Sequence, residues 1–369
     1  MKSLLVDISS LQRMAVHSGV QRVTRSILTE WLNDPPAGWS VRPMVFERAG
    51  VRACDAGSVR RACPGFRGTF DCADDAGPAG GRIVFLDLNF EVTECRDWLL
   101  AAKAGGARLT FVLYDLLPLH SPQWFPDVVG PLYLQWIEML AELGDDIACI
   151  SNAVREEFLA WFRLKSGDRP PPRVRYFPLG SDPFPPCEEL PSVVAGALRQ
   201  RPTALMVSTI EPRKGHAQAL DAFEHLWAAG VDMNLLFVGG EGWKIAPLAG
   251  RLRAHPEYGR RFFWLENCPD GRLSTCYRDS RVVLVPSFGE GFGLSIVEAS
   301  RHGCPVIARD LPVFREVAPP GTVFFTGQDP GRLATAILSG IQTRPAVVGP
   351  VRLHGWSDSA RALFEMDSA

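Results

Sequence analysis

The sequence predicts an α/β protein built from two doubly wound parallel sheets. Three observations carry this expectation. Short apolar runs alternate with helical patterns along most of the chain. The runs are continuous rather than alternating, which suits strands covered on both faces. A proline-rich stretch then divides the alternation into two series.

In the first series the expected strands are Leu4–Ile8, Ile83–Leu88, Leu109–Tyr114 and Ile147–Ile150. Helical patterns cover Val20–Leu32, Thr93–Ala104, Val129–Leu143 and Ala153–Leu164. Residues 47–81 show little periodicity and read as a loop-rich insertion. After a short strand at Val174–Phe177, the stretch from Pro178 to Pro191 reads as a linker. The second series has strands at Ala204–Ser208, Asn234–Val238, Phe262–Leu265, Val282–Val285, Val306–Ala308 and Val323–Phe325. Its helices include His216–Ala229, Leu294–His302 and Arg332–Ile341. The expected domains are 1–185, 186–350 and a C-terminal helix within 351–369 that would pack back on the first domain. Two Rossmann-like domains would face a central cleft at their strand ends.

Composition narrows the partners. The chain has 369 residues, 46% hydrophobic, ample for two cores. A formal net charge of −2 argues against nucleic acid as the main partner. Nine cysteines are present, with Cys54, Cys63 and Cys72 at equal spacing. No Cys-x-x-Cys pair accompanies them, so free thiols are expected rather than a metal site. The apolar run near Met1 is interrupted by Asp7 and is too short for a signal peptide, and no run of apolar residues spans a membrane. The expected compartment is the cytoplasm.

The most telling motif is Pro286-Ser-Phe-Gly-Glu-Gly-Phe-Gly-Leu-Ser-Ile-Val-Glu298. An apolar strand runs into a turn containing Gly289, Gly291 and Gly293, and a helix begins near Leu294. Glycines let a ligand approach the backbone, and a helix N-terminus offers free N–H groups to anionic oxygen. A carboxylate just inside the helix can accept from a pair of sugar hydroxyls. These parts suit a nucleotide-sugar better than a bare phosphate. A second motif, Ser208-Thr-Ile-Glu-Pro-Arg-Lys-Gly-His216, also joins a strand to a helix. Arg213 and Lys214 could neutralise a diphosphate there, or could form an ordinary solvated turn. His216 reads as part of the helix start.

The two motifs together resemble the retaining GT-B glycosyltransferases of family 4. That family carries an Arg-Lys pair after a strand, then a Glu-Gly-Phe-Gly segment with a second Glu after seven intervening residues. The match is strong over 200–330 and looser before it. The resemblance implies that Arg213 and Lys214 grip the donor diphosphate and that Glu298 holds the ribose hydroxyls. It places Glu290 near the donor sugar, with Gly291, Phe292, Gly293 and Leu294 on sugar and phosphate oxygens. Ser208 and Gly239 would lie beside the nucleotide, although Gly239 also fits a structural turn.

The N-terminal half has weaker signals. Asp7-Ile-Ser9 and His17-Ser-Gly-Val-Gln-Arg22 resemble phrases in polysaccharide-assembly members of the family. Gly19 and Arg22 would meet the donor phosphate from the opposite wall, or form an ordinary turn with a surface arginine. Many family members have a His where this chain has Tyr114, so no catalytic His carries over. Asp115 is the N-terminal candidate for shaping the sugar site, with turn-capping as its alternative. Tyr114 and His120 are the acceptor-side candidates, with an ordinary loop histidine as the favoured alternative for His120. Ser151 reads as an N-cap, and Gly180 and Asp182 as residues near the hinge. Trp136, Trp161 and Trp227 read as helix aromatics of the core. Arg52, Arg60, Arg61 and Arg67 could meet anionic lipid or form a solvated loop.

No Gly-x-Ser-x-Gly elbow, Walker motif or dinucleotide fingerprint occurs. The expected activity is retaining transfer of a sugar, mannose before rhamnose, from GDP-mannose or dTDP-rhamnose to a glycan or lipid-linked acceptor. No cofactor or metal is expected, and contact with the inner membrane face would be peripheral. A non-catalytic nucleotide-sugar binding module is one alternative. A GT-B epimerase or phosphorylase is another.

Overall fold

A computed structural model describes residues 1–13, 18–68, 80–181, 185–343 and 353–366. The chain divides into two compact units. Unit 1 comprises Met1–His120, Asp127–Gly180 and His354–Ala369; unit 2 comprises Ser121–Pro126 and Ser181–Leu353.

Unit 1 contains a seven-stranded sheet. Its strands are β1 (Lys2–Asp7), β2 (Trp39–Glu47), β3 (Gly50–Ala53), β4 (Arg82–Phe85), β5 (Arg108–Leu113), β6 (Asp146–Cys149) and β7 (Arg173–Tyr176). Their spatial order is β3-β2-β1-β4-β5-β6-β7. All neighbours are parallel except β2 and β3. The core on this sheet includes Phe85 and Phe111, whose rings stack at 4.2 Å, together with Trp136 and Phe158.

The expected insertion at 47–81 is corrected by this sheet. Strand β3 and a helix, Ala56–Ala62, occupy its first part, while 69–79 lie outside the described residues. Strand β2 was concealed by Arg42 and Pro43, which interrupt the apolar run. Pro43 has no N–H to give, but its carbonyl accepts from Cys54 N at 3.0 Å, so the ladder to β3 continues.

The last helix, Trp356–Glu365, belongs to unit 1. Two side chains tie it down. Trp31 Nε1 donates to Ala360 O at 3.1 Å. The buried Arg82 donates Nη1 to Phe364 O at 2.7 Å and Nη2 to Leu363 O at 3.1 Å. A guanidinium placed there satisfies final helix carbonyls and opposes the negative end of the helix dipole.

Unit 2 contains β8 (Thr203–Val207), β9 (Asn234–Val238), β10 (Phe262–Leu265), β11 (Val282–Val285), β12 (Val306–Arg309) and β13 (Val323–Phe325). The order is β10-β9-β8-β11-β12-β13, all parallel. Counted from β8 this is the Rossmann order, whose direction reverses between the first and fourth strands. The reversal opens a crevice at the carboxyl ends of β8 and β11. The two strongest sequence motifs follow those two strands.

Segment Ser121–Pro126, expected in the first domain, belongs to unit 2. Trp243 Nε1 donates to Trp124 O at 2.7 Å, and the Phe125 ring lies 5.9 Å from that of Trp243. Aromatic burial, unreadable from chain order, decides this assignment. Among the described residues, no helix is long and apolar enough to cross a membrane.

Replacing Arg82 by Met should leave two helix-end carbonyls without their charged donor. We expect a loss of about 3 kcal/mol in urea unfolding. A loss below about 1 kcal/mol would show that other contacts dock the helix.

Candidate functional site

The site is built from the two loops at the reversal in unit 2. After β8 the chain makes a short 3-10 turn, Pro212–Lys214, and reaches Gly215. Gly215 has φ +78°, and a Cβ there would lie 2.5 Å from Pro286 O. Only glycine permits both the left-handed backbone and the close approach to the second loop. The helix His216–Ala228 follows. After β11, the glycine turn ends at Gly293, φ +111°, which precedes the helix Leu294–Arg301.

The loops are joined by backbone and by charge. Phe288 N donates to Arg213 O at 2.7 Å. Lys214 Nζ donates to Glu290 Oε1 at 2.6 Å, and Arg213 Nη1 donates to Glu290 Oε2 at 2.9 Å and to Gly289 O at 3.0 Å. Ser287 Oγ donates to Glu290 Oε1 at 2.9 Å. Arg213 Nε pairs with Glu211 Oε2 at 3.0 Å. The side chains of Arg213, Lys214 and Glu290 are 14%, 14% and 12% exposed. Burial would push the Glu290 carboxyl up, but Lys214 and Arg213 outweigh it and hold the group down to about 2. Glu290 therefore stays a carboxylate at any working pH.

Glu298, in the following helix, is buried and accepts from the Tyr277 hydroxyl at 2.7 Å. Phe292 is buried. The buried His216 ring is pushed down to about 3 by its burial and by Lys214, so it remains neutral. Its Nε2 lies 3.4 Å from Ser208 Oγ, and its ring meets Phe237 edge-on. It supports the loop from behind. Gly239 has φ +142°, and a Cβ there would strike Ser208 O. Close backbone approach therefore explains its glycine.

Three features were missed in the sequence. Arg309, at the end of β12, is buried and donates Nε to Ser287 O at 3.0 Å and Nη2 to Pro286 O at 3.0 Å and Gln218 Oε1 at 2.5 Å. Its guanidinium lies 4.2 Å from the centre of the Phe288 ring. Its position at a strand's carboxyl end was the available signal. Tyr277 lies in no motif singled out in the sequence. A cavity of about 440 Å³ at the end of β10, lined by Pro191, Trp264, Cys268 and Arg272 among others, carried no motif at all.

Unit 1 has its own order reversal, between β1 and β4. Asp7 and Asp87 follow closely there and both are buried. Burial, and for Asp7 also the neighbouring Asp87, push their carboxyls up to about 7 and about 6. Asp87 Oδ2 accepts from Leu11 N at 2.6 Å, and Asp7 Oδ1 accepts from Ser9 N at 3.0 Å. The pair thus holds the backbone that leaves β1. Gly19 opens the helix Gly19–Asn33, whose N-cap Ser18 accepts from Gln21 N at 3.3 Å. Arg22 lies one turn inside that helix, half-buried. His17 lies outside the described residues.

The acceptor-side expectations fare differently. Tyr114 is buried with its hydroxyl donating to Leu86 O at 2.7 Å, which places it in the core. A strand-end side chain can turn inward, and only register decides which way. Asp115 Oδ1 accepts from Leu117 N at 3.0 Å, which is the turn-capping arrangement rather than one reserved for substrate. His120 is exposed. Ser151 Oγ accepts from Val154 N at 3.2 Å as an N-cap. A Cβ on Gly180 would meet Gly355 backbone at 2.5 Å, so its glycine answers to packing of the C-terminal stretch. Asp182 lies outside the described residues. Trp136 and Trp227 are core residues, with Trp161 packed against the core. Cys54 and Cys63 are buried free thiols, and Cys72 lies outside the described residues.

Residues 194–346 match the model of the family described as glycosyl transferases group 1. This stretch is a group 1 glycosyltransferase domain. It contains both loops of the site. The serotype-specific mannosyltransferase WbdA of Escherichia coli is 35% identical over 349 residues, covering 91% of this chain and 41% of WbdA. The chain thus spans about two fifths of the length of that relative. A phosphatidyl-myo-inositol mannosyltransferase of Mycobacterium tuberculosis is 36% identical over 148 residues, 39% of this chain and 38% of that protein. The crystal structure of Anabaena HepE with UDP and glucose superposes with a TM-score of 0.62 at 15% identity, covering 99% of this chain and 95% of that one. Such a likeness establishes the GT-B fold.

Glu290 gives the domain a pH signature. Its carboxyl is held at about 2 against an unfolded value of 4.5. A depressed carboxyl contributes stability that is present above the unfolded value and lost as pH falls through the folded one. Glu290→Gln should therefore flatten the stability curve between pH 4.5 and 2, removing on the order of 3 kcal/mol of pH dependence. Unfolding curves of equal slope for both proteins over that window would contradict the ion-pair geometry.

Proposed function

We propose that this protein is a retaining mannosyltransferase of bacterial surface-polysaccharide synthesis. It moves mannose from GDP-mannose to a glycan or lipid-linked glycan, with dTDP-rhamnose as the runner-up donor. The observation that carries this reading is the meeting of Arg213, Lys214 and Glu290 with a helix N-terminus at the order reversal of unit 2. The names of the two mannosyltransferase relatives support the sugar.

Arg213 and Lys214 would hold the donor diphosphate. Each has donors beyond those spent on Glu290, since an ammonium offers three and a guanidinium five. The charge that develops on the leaving diphosphate would be stabilised by these fixed cations and by N–H groups around Gly291 to Leu294, in a largely buried setting where such contacts count most. Two fixed cations supply the charge compensation otherwise asked of a metal. Glu298 would accept from the ribose hydroxyls.

Glu290 is unsuited to attack the anomeric carbon. Its two oxygens are spent on two cations and a serine, and its low pKa makes it a weak base and nucleophile. A front-face route fits better. The acceptor oxygen bonds to the anomeric carbon as the bond to the diphosphate oxygen breaks, and the acceptor's proton passes to that leaving oxygen. The exposed Arg52, Arg60, Arg61 and Arg67 support peripheral contact with anionic lipid.

Lys214→Ala should lower transfer from GDP-mannose by at least about a hundredfold. It should also lower the melting temperature, because the buried Glu290 carboxylate loses one of its two cations. Turnover is compared at a temperature where circular dichroism shows both proteins folded. Near-normal turnover in that variant would refute the site. The donor is checked by thermal shift with UDP, GDP, ADP and dTDP. The largest rise is expected with GDP; a larger rise with dTDP would move the donor to rhamnose. Consumption of donor without acceptor would favour an epimerase, and a requirement for free phosphate a phosphorylase.

A further inference from the structure

Glu298 belongs to a ring of contacts with Tyr277 and His302, to which Ser274 is attached through His302. Tyr277, in the helix Asp270–Asp279, is 0% exposed and donates its hydroxyl to Glu298 Oε2 at 2.7 Å. The Tyr277 ring stacks on the His302 imidazole with centroids 5.1 Å apart and planes 17° apart. His302 Nδ1 donates to Glu298 O at 2.9 Å. With Nδ1 as the donor, Nε2 accepts from Ser274 Oγ at 3.2 Å. These contacts join positions i and i+4 of one stretch (Glu298, His302) to positions i and i+3 of another (Ser274, Tyr277), the spacings that share a helix face.

Packing alone does not ask for this arrangement. A phenylalanine at 277 would fill the same space without placing a phenol hydroxyl in the core. Buried polar pairs are seldom better for stability than apolar groups of the same shape. What the hydroxyl does supply is direction. It fixes one carboxylate oxygen in place. A carboxylate that must accept from two ribose hydroxyls gains from being held in one rotamer before the ligand arrives.

We infer that Tyr277 is a positioning residue for nucleotide recognition: its hydroxyl, braced by the stack on His302, orients Glu298 to accept from the donor's ribose hydroxyls. This rests on the proposed role of Glu298. Tyr277 touches the carboxylate and not the donor.

The test measures ribose discrimination, which a purely structural residue would not change. GDP and 2′,3′-dideoxyguanosine diphosphate are titrated calorimetrically into the wild-type chain, Tyr277→Phe and Glu298→Ala. The wild type should prefer GDP by about thirtyfold, because a site built to bind hydroxyls rejects the analogue that lacks them. Glu298→Ala should abolish the preference. Tyr277→Phe should reduce it to about threefold while leaving affinity for the dideoxy compound unchanged, since the diphosphate contacts remain. Ser274→Ala loosens only the His302 end of the ring, and serves if Tyr277→Phe unfolds by circular dichroism; its preference should fall to an intermediate value. Full discrimination in Tyr277→Phe, or in Ser274→Ala where that variant replaces it, beside lost discrimination in Glu298→Ala overturns the inference. Full discrimination in Glu298→Ala overturns the ribose assignment instead. Failure of GDP to bind the wild type would count against the donor reading.

Discussion

The site depends on one carboxylate answering two cations. Glu290 lies in one loop, Arg213 and Lys214 in the other, and their contacts at 2.6 to 2.9 Å lock the loops together at the point where the sheet order reverses. An unpaired charge this deeply placed would be costly, so each side requires the other. The glycines serve the same contact. Gly215 lets the first loop pass beneath Pro286 O, and Gly293 turns the second into its helix. Arg309 completes the assembly by holding Pro286 and Ser287 from behind with its guanidinium. The electrostatic consequence is a compact patch of fixed donors whose orientation is set before any anion reaches it.

Much of this was legible in the sequence because it is local. Strands covered on both faces announce themselves as apolar runs, and β8 to β13 all lie where such runs occur. The two loop motifs are contiguous, so each was readable from its own residues; that β8 and β11 are neighbours, which brings Glu290 onto Arg213 and Lys214, is given by the sheet order. Strand β2 was hidden because Arg42 and Pro43 break the pattern that reveals strands. Segment 121–126 was misassigned because its allegiance is set by Trp243, far away in sequence.

Side-chain direction was the other limit. Tyr114 sits at a strand end, where a residue can face ligand or core, and its hydroxyl is committed to Leu86 O. Asp115 accepts from Leu117 N in its own turn. Tyr277 gave no motif signal because its partner lies 21 positions away, and Arg309 offered only its place at a strand end, its partners lying 18 or more positions away. Sequence thus favours residues that act within a motif over those that hold a motif in place.

In unit 1, the buried Asp7 and Asp87 fix the backbone beyond β1, while the fold's corresponding reversal in unit 2 is fixed by cations. The contrast supports the proposal that the donor diphosphate binds in unit 2. The most direct test of that assignment is a crystal structure of the chain with GDP. The account predicts diphosphate oxygens within hydrogen-bond distance of Lys214 Nζ and the Arg213 guanidinium, with the ribose hydroxyls on Glu298. A diphosphate bound away from both cations would contradict it.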